Sequence, residues 1–390
     1  MQLSFRRAAL ALTCSAALLL PIQADAFDAT GNPVADAFFA NVEAGGVTDL
    51  AVGSVTGDAD RTEIQNLTGT SNKNGEVTKI TFGTLIFDNG AVDSDGRLSA
   101  ARMTARNVIV DGDTDIRIGE AVVDDVVLPT ADEIRNDKAA AGSSSAYHDI
   151  AVSDIVIVNE EGTMVPISSL KVDALDRVDG IIPGGTLEIT GITINRDSIK
   201  DAEAAGRMAE LGYDQLILDV TSVGRWDAAT DKMILEKFTI KGQNAGELTI
   251  TAELGSMTAA MLKTLQTASE TNERMEVLQK LTLNMLSIRF DNASLAERMM
   301  DMQAKQMGTT RDQLVVQLSA ALPMMLSALQ NPDFQKMVAG AVTAFLKSPQ
   351  SISAVAAPAQ PVPAGQIMGA AMMAPQTLPT ILAVEVKANQ

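Results

Sequence analysis

Few residues in this chain of 390 could do covalent chemistry, and their spacing decides most cases. His148, the single histidine, lies between Tyr147 and Asp149. A hydrolase would have to use it in a Ser-His-Asp relay, and no G-x-S-x-G elbow exists to raise the nucleophile. A loop histidine ahead of a strand is the expectation. Ser168-Ser169-Leu170-Lys171 fits the S-x-x-K spacing, but neither S-D-N nor K-T-G accompanies it. In an extended run Ser168 and Lys171 would point to opposite faces. Asp111-Gly112-Asp113-Thr114-Asp115 places three carboxylates two apart, like the start of a calcium loop. An EF-hand needs Gly at its sixth position and Glu at its twelfth, where this chain has Ile116 and Val122. Asp93-Ser94-Asp95-Gly96 and Asp58-Ala59-Asp60 have the same character, and all three read as tight turns, with weak calcium binding as the alternative. The expected catalytic, cofactor-binding and metal-ligating residues are therefore none.

The apolar chemistry is richer. Of the 19 methionines, 11 fall between Met257 and Met337. Their thioether side chains are soft and adaptable, suited to a groove for acyl chains or other apolar partners. The expected groove residues are Met299, Met300, Leu314, Leu318, Met324, Met325 and Met337. At helical spacing the same residues also make an ordinary core between helices and a sheet. Trp226, the only tryptophan, falls in Gly224-Arg225-Trp226-Asp227, which reads as a hairpin loop with the indole packed over a sheet end.

The composition narrows the classes. Lys plus Arg total 30 against 49 Asp plus Glu, a formal net charge of -19. With no basic patch, this argues against nucleic acid. One Cys and one His leave little for a thiolate or imidazole metal site. The N-terminus carries an export signal: Arg6 and Arg7, an apolar run from Ala8 to Leu20, Pro21, then Ala24-Asp25-Ala26 as a small-residue cleavage site. Cleavage after Ala26 removes Cys14, two Arg and one Asp, so the net charge moves from -19 to -20. A cysteine-free exported chain must hold together by packing alone. No later run reaches the length of a membrane span, so a periplasmic or secreted product with no transmembrane segment is expected.

The elements follow from periodicity. Residues 27–46 form a lead-in with a short helix over Val34 to Val42, burying Phe38 and Phe39. Residues 47–255 are dominated by strands rich in Val, Ile and Thr, with clear examples at Thr78 to Phe87, Leu98 to Val110, Ile150 to Val158 and Leu187 to Ile194. Leu216 to Val223, Lys232 to Lys241 and Glu247 to Leu254 continue the series, with a turn at Gly224 to Asp231. In the last strand Leu248, Ile250, Ala252 and Leu254 alternate with Glu and Thr, which predicts one buried and one wet face. Ala131 to Ser145 reads as a loop, and Arg196 to Leu211 as a short helix. Residues 256–390 turn helical: Ser256 to Ala268, Thr271 to Leu281 with Met275, Leu278 and Leu281 inward, Ser294 to Met307, Thr310 to Leu329 kinked at Pro323, Asp333 to Lys347 and Gly365 to Met373. Leu283 to Phe290 and Leu382 to Lys387 read as strands returning to the sheet, and Ala356 to Pro363 as extended. The expected fold is α+β, a large twisted, mostly antiparallel sheet with a Met-rich C-terminal helical layer.

Two stretches carry a resemblance. One is Leu211-Gly212-Tyr213-Asp214 with Gly224-Arg225-Trp226-Asp227 and the strands after it. The other runs from Lys347-Ser348-Pro349-Gln350-Ser351-Ile352 through Pro361-Val362-Pro363 to Leu382-Ala383-Val384 and Ala388-Asn389. Both look like exported, uncharacterised alphaproteobacterial proteins, and the plan over residues 210–390 is similar to AsmA-like envelope proteins. That resemblance implies long sheets associated with outer-membrane assembly and lipid movement, and no catalytic residues. AsmA-like proteins usually carry a membrane helix, which this chain lacks after cleavage. The expectation is a non-enzymatic envelope protein that binds or carries an apolar ligand such as a lipid. The alternative is a structural or assembly protein acting through contacts with an envelope protein partner.

Overall fold

The computed structural model describes residues 28–73, 75–136, 146–176, 181–267 and 271–390. The export signal and Cys14 lie outside the described residues, as do residues 137–145 of the expected loop. The fold is α+β, with seventeen strands among the described residues and antiparallel pairing in every register described. The chain divides into two compact units. One holds the residues up to Asp176 with Ile189–Ile194 and Ser198–Lys200; the other holds Arg177–Glu188, Asn195–Asp197 and Asp201–Gln390.

The first unit begins with α1 (Pro33–Ala44), started by Pro33 and capped by the Asn32 side chain, which accepts from the Val34 and Ala35 amides. Strands β1 (Val47–Ala51) and β2 (Ser54–Gly57) both pair with β3 (Arg61–Lys73). The ladder continues through β4 (Glu76–Asp88), β6 (Leu98–Asp111), β7 (Asp115–Val127), β8 (Asp149–Val158), β9 (Met164–Ala174) and the Ile189–Ile194 part of β10 (Gly184–Asn195), while the short β5 (Ala91–Val92) flanks β6. Phe38 and Phe39 are buried as expected, the Phe38 ring 5.3 Å from that of Phe87. Residues Ala131–Asn136 form helix α2 rather than loop. Thr130 and Glu133 cap it reciprocally: the Thr130 amide donates to Glu133 Oε2 at 2.8 Å and the Glu133 amide to Thr130 Oγ1 at 3.2 Å.

One row of residues crosses this sheet. Asn66 in β3, Asn107 in β6 and Asp154 in β8 have left-handed φ values of 54°, 51° and 56°. Gly83 in β4 lies opposite Asn66 and Asn107, since Gln65 pairs with Thr84, Leu67 with Phe82, Phe82 with Val108 and Thr84 with Arg106. By the same count Gly119 in β7 lies opposite Asn107 and Asp154. The strands therefore depart from extended geometry together, at one level. Asn and Asp tolerate the left-handed region. The facing glycines leave room for their Cβ atoms: a Cβ on Gly83 would sit 2.9 Å from Asn107 Cβ, and one on Gly119 2.8 Å from Asp154 Cβ.

The second unit holds α3 (Ala202–Glu210) and the antiparallel series β11 (Gln215–Asp227), β12 (Lys232–Gly242), β13 (Gly246–Gly255), β14 (Thr282–Asn292), β15 (Ser351–Ala356) and β17 (Val384–Ala388), with β16 (Val362–Pro363) beside β14. Between these strands run α4 (Ala259–Thr267), α5 (Thr271–Lys280), α6 (Leu295–Gln306), α7 (Arg311–Met325), α8 (Pro332–Lys347), α9 (Ala364–Met373) and α10 (Leu378–Ile381). Three expectations are corrected. Gly224 to Asp227 belong to β11, Trp226 pairing with Met233, so the turn is confined to residues 228–231. Along α5 Val277 is buried, and Leu281 just after it is buried as expected, while Met275 and Leu278 are exposed. Both faces of β13 are half-covered, so its alternating pattern does not separate a dry face from a wet one. Helix α7 continues past Pro323 to Met325 before tightening into a 3-10 turn at Leu326–Leu329.

Candidate functional site

The two sequence stretches that carry the resemblance form structural locks within the second unit. The Arg298 guanidinium donates to the carbonyls of Leu211 (2.9 Å) and Gly212 (2.8 Å), which end α3. It also stacks over the Tyr213 ring at 4.3 Å and reaches Ser294 Oγ at 2.9 Å. Ser294 Oγ in turn donates to the Asn244 carbonyl, so α6 is pinned to the β12–β13 hairpin. In the second stretch, Asn292 Nδ2 donates to the Pro349 carbonyl at 2.8 Å, and Asn389 Oδ1 accepts from the Gln350 and Ser351 amides. Trp226 is buried with Ile181, Met257, Leu262 and Leu281, and its indole N–H donates to the Met257 carbonyl at 2.7 Å. It is a core residue within β11 rather than a residue of a hairpin loop.

The expected groove residues separate. Met300 and Leu314 are buried with Ala304 and Val315, and Leu318 packs against them. This small core joins α6 to α7, and the Arg311–Asp301 ion pair (Nε to Oδ1 2.6 Å) ties the same helices at the surface. The guanidinium holds the Asp301 carboxyl below its ordinary range through its hydrogen bond. Met299 lies exposed on α6, and Met337 is in part committed: its Sδ accepts the Val386 amide at 3.2 Å, so α8 covers the outer side of β17.

Met324 and Met325 remain, at the C-terminal end of α7, 76% and 67% exposed. Sequence reasoning missed their counterparts, Met372 and Met373 at the end of α9, 85% and 88% exposed. Between the segments that carry them runs one tie: Asn331 caps α8, its side chain accepting from the Phe334 amide, and its Nδ2 donates to the Gln376 carbonyl at 3.4 Å. A signal for this end was present in the sequence. Residues 313–332 and 348–384 contain no Asp, Glu, Lys or Arg, in a chain whose net charge is -19. Each pair of exposed thioethers sits on a charge-free segment, apolar side chains that water solvates poorly and that adapt to varied partners.

The polar candidates resolve as turns or ion pairs. Asp93 Oδ1 accepts from the Asp95 and Arg97 amides, and Asp58 Oδ1 from the Asp60 amide. Asp115 Oδ1 accepts from Gly112 in the β6–β7 turn. Ser168 and Lys171 lie in β9, with Ser168 against Gly191 of β10. His148 Nδ1 pairs with Asp149 Oδ2 at 3.1 Å, and that hydrogen bond raises the imidazole above its ordinary pKa.

No described helix is long and apolar enough to cross a membrane. Residues 239–389 match a family model described as an uncharacterized protein. No curated protein matches the chain.

Proposed function

We propose that the chain is a non-enzymatic envelope protein that binds an apolar partner, a lipid first of all, on the exposed methionine end of its C-terminal helices. The carrying observation is the exposure of Met324, Met325, Met372 and Met373 on two charge-free segments. The mechanism is contact rather than chemistry: acyl chains lie against thioethers that lose little by rearranging. The packed Met300–Leu314 core favours binding on the surface over enclosure in a groove between α6 and α7. The export pattern over residues 1–26 supports an address in the periplasm or outside the cell. The likeness of residues 210–390 to AsmA-like envelope proteins supports a lipid as the partner class. A net charge of -19 disfavours anionic membrane surfaces, so zwitterionic lipid is the expected form.

Flotation with phosphatidylcholine vesicles tests this reading. The wild type should float, and M372K/M373K and M324K/M325K should each lose at least roughly tenfold in partitioning, because a lysine costs several kcal/mol in hydrocarbon. Flotation unaffected by either double variant would end it. The same surface also suits an apolar patch on an envelope protein partner. A wild type that ignores vesicles but crosslinks in cells through these four positions would favour that alternative.

A further inference from the structure

A second feature lies in the other unit, where His148, Asp149 and Asp173 converge. His148 is held by its backbone on both sides: its amide donates to the Asp124 carbonyl and its carbonyl accepts from the Ala174 amide, each at 3.0 Å. Asp149 opens β8, and its register partner in β9 is Asp173. Two carboxylates directly opposed on neighbouring strands repel and destabilise the ladder unless a cation lies between them. One ligand atom from each of the three side chains lies within 4.8 Å of the others. At metal–ligand bonds of about 2.1 Å, tetrahedral ligand atoms sit about 3.5 Å apart, so small side-chain rotations close the set.

We propose that His148, Asp149 and Asp173 form a binding site for a divalent transition-metal ion of the zinc class. The donor set selects the ion. Two carboxylates and a neutral imidazole carry a charge of about -2, matched by a dication, and the imidazole favours zinc-like ions over calcium or magnesium. The ion would clamp the start of β8 to the end of β9 and cancel the repulsion between Asp149 and Asp173. His148 and Asp149 are neighbours in sequence, but only the β8–β9 register brings Asp173 to them, so no local spacing announces the set.

With one histidine in the chain, every imidazole signal in the NMR spectrum of the tag-free protein belongs to His148. Titration with Zn²⁺ should move those signals and saturate at one equivalent, with millimolar Mg²⁺ present. D173N and H148Q should each weaken Zn²⁺ binding by calorimetry at least roughly tenfold, with the circular dichroism spectrum unchanged. Imidazole signals that ignore Zn²⁺, a D173N protein that binds as tightly as wild type, or displacement of Zn²⁺ by Mg²⁺ would each overturn the assignment.

Discussion

Adding one methyl group to Gly83 should destabilise the first unit. The new Cβ would sit 2.9 Å from Asn107 Cβ and 3.2 Å from the Arg106 carbonyl oxygen. Ordinary carbon–carbon contacts are about 3.5–4.0 Å. Both obstacles belong to the neighbouring strand's backbone or its first side-chain carbon, so neither can swing aside. Overpacking of this kind costs about 1–3 kcal/mol. Restricting the unfolded chain returns about 0.4–1 kcal/mol. The net expectation for G83A is a loss of about 1–2 kcal/mol. N107G removes the colliding Cβ and keeps a residue at ease at φ 51°. In a double-mutant cycle, G83A and N107G should therefore couple favourably by about 1 kcal/mol. Urea denaturation followed by circular dichroism reads this as a shift of midpoint at constant slope. G340A is the control: no atom lies within 4 Å of its added Cβ, and in helix α8 it should gain about 1 kcal/mol. A G83A protein as stable as wild type, or no coupling to N107G, would refute the view that this row needs its glycines for space.

Other consequences follow from single side chains. The Asn41 carboxamide in α1 is buried with no hydrogen-bond partner among the described residues, so N41L should raise stability by about 1–3 kcal/mol in urea denaturation. R298M leaves the Leu211 and Gly212 carbonyls without their guanidinium and should cost about 1–3 kcal/mol, loosening α6 in hydrogen exchange before the strands. Glu253 is held below its ordinary value of 4.5 by hydrogen bonds first from Lys232 and then from Asn284. Its depressed pKa contributes stability above about pH 4.5 that is lost as pH falls through the folded value, so the advantage of wild type over E253Q should shrink in acid melts.

How much of this could be read in advance depends on how local the cause is. The long strands were legible because Val, Ile and Thr recur between Gly and Asp turns, and β4, β6, β8 and β12 fall close to the expected limits. Helix α8 was legible from Pro332 and the polar cap before it. Helix α2 was missed, although Thr130 and Glu133 stand at capping-box spacing, because polar Ala131–Asn136 has little apolar periodicity. Gly224-Arg225-Trp226-Asp227 has turn-like composition, but burial of Trp226 keeps it in β11, since tertiary packing outweighs local propensity. The row through Asn66, Gly83, Asn107, Gly119 and Asp154 joins five strands and cannot be recognised before their register is known. The exposure of the methionines was only in part legible. Met324, Met325, Met300 and Leu314 were singled out alike as apolar helix residues, yet the first two are exposed and the last two lie in the core. Only the neighbouring helix decides between those outcomes.

Native mass spectrometry of the protein purified from the cells that make it, followed by solvent extraction and lipid analysis, tests the central claim most directly. Binding through the exposed methionines predicts a copurifying lipid in simple stoichiometry, lost from M372K/M373K. A clean mass without adduct, and no uptake when the protein is later offered phosphatidylcholine, would contradict it.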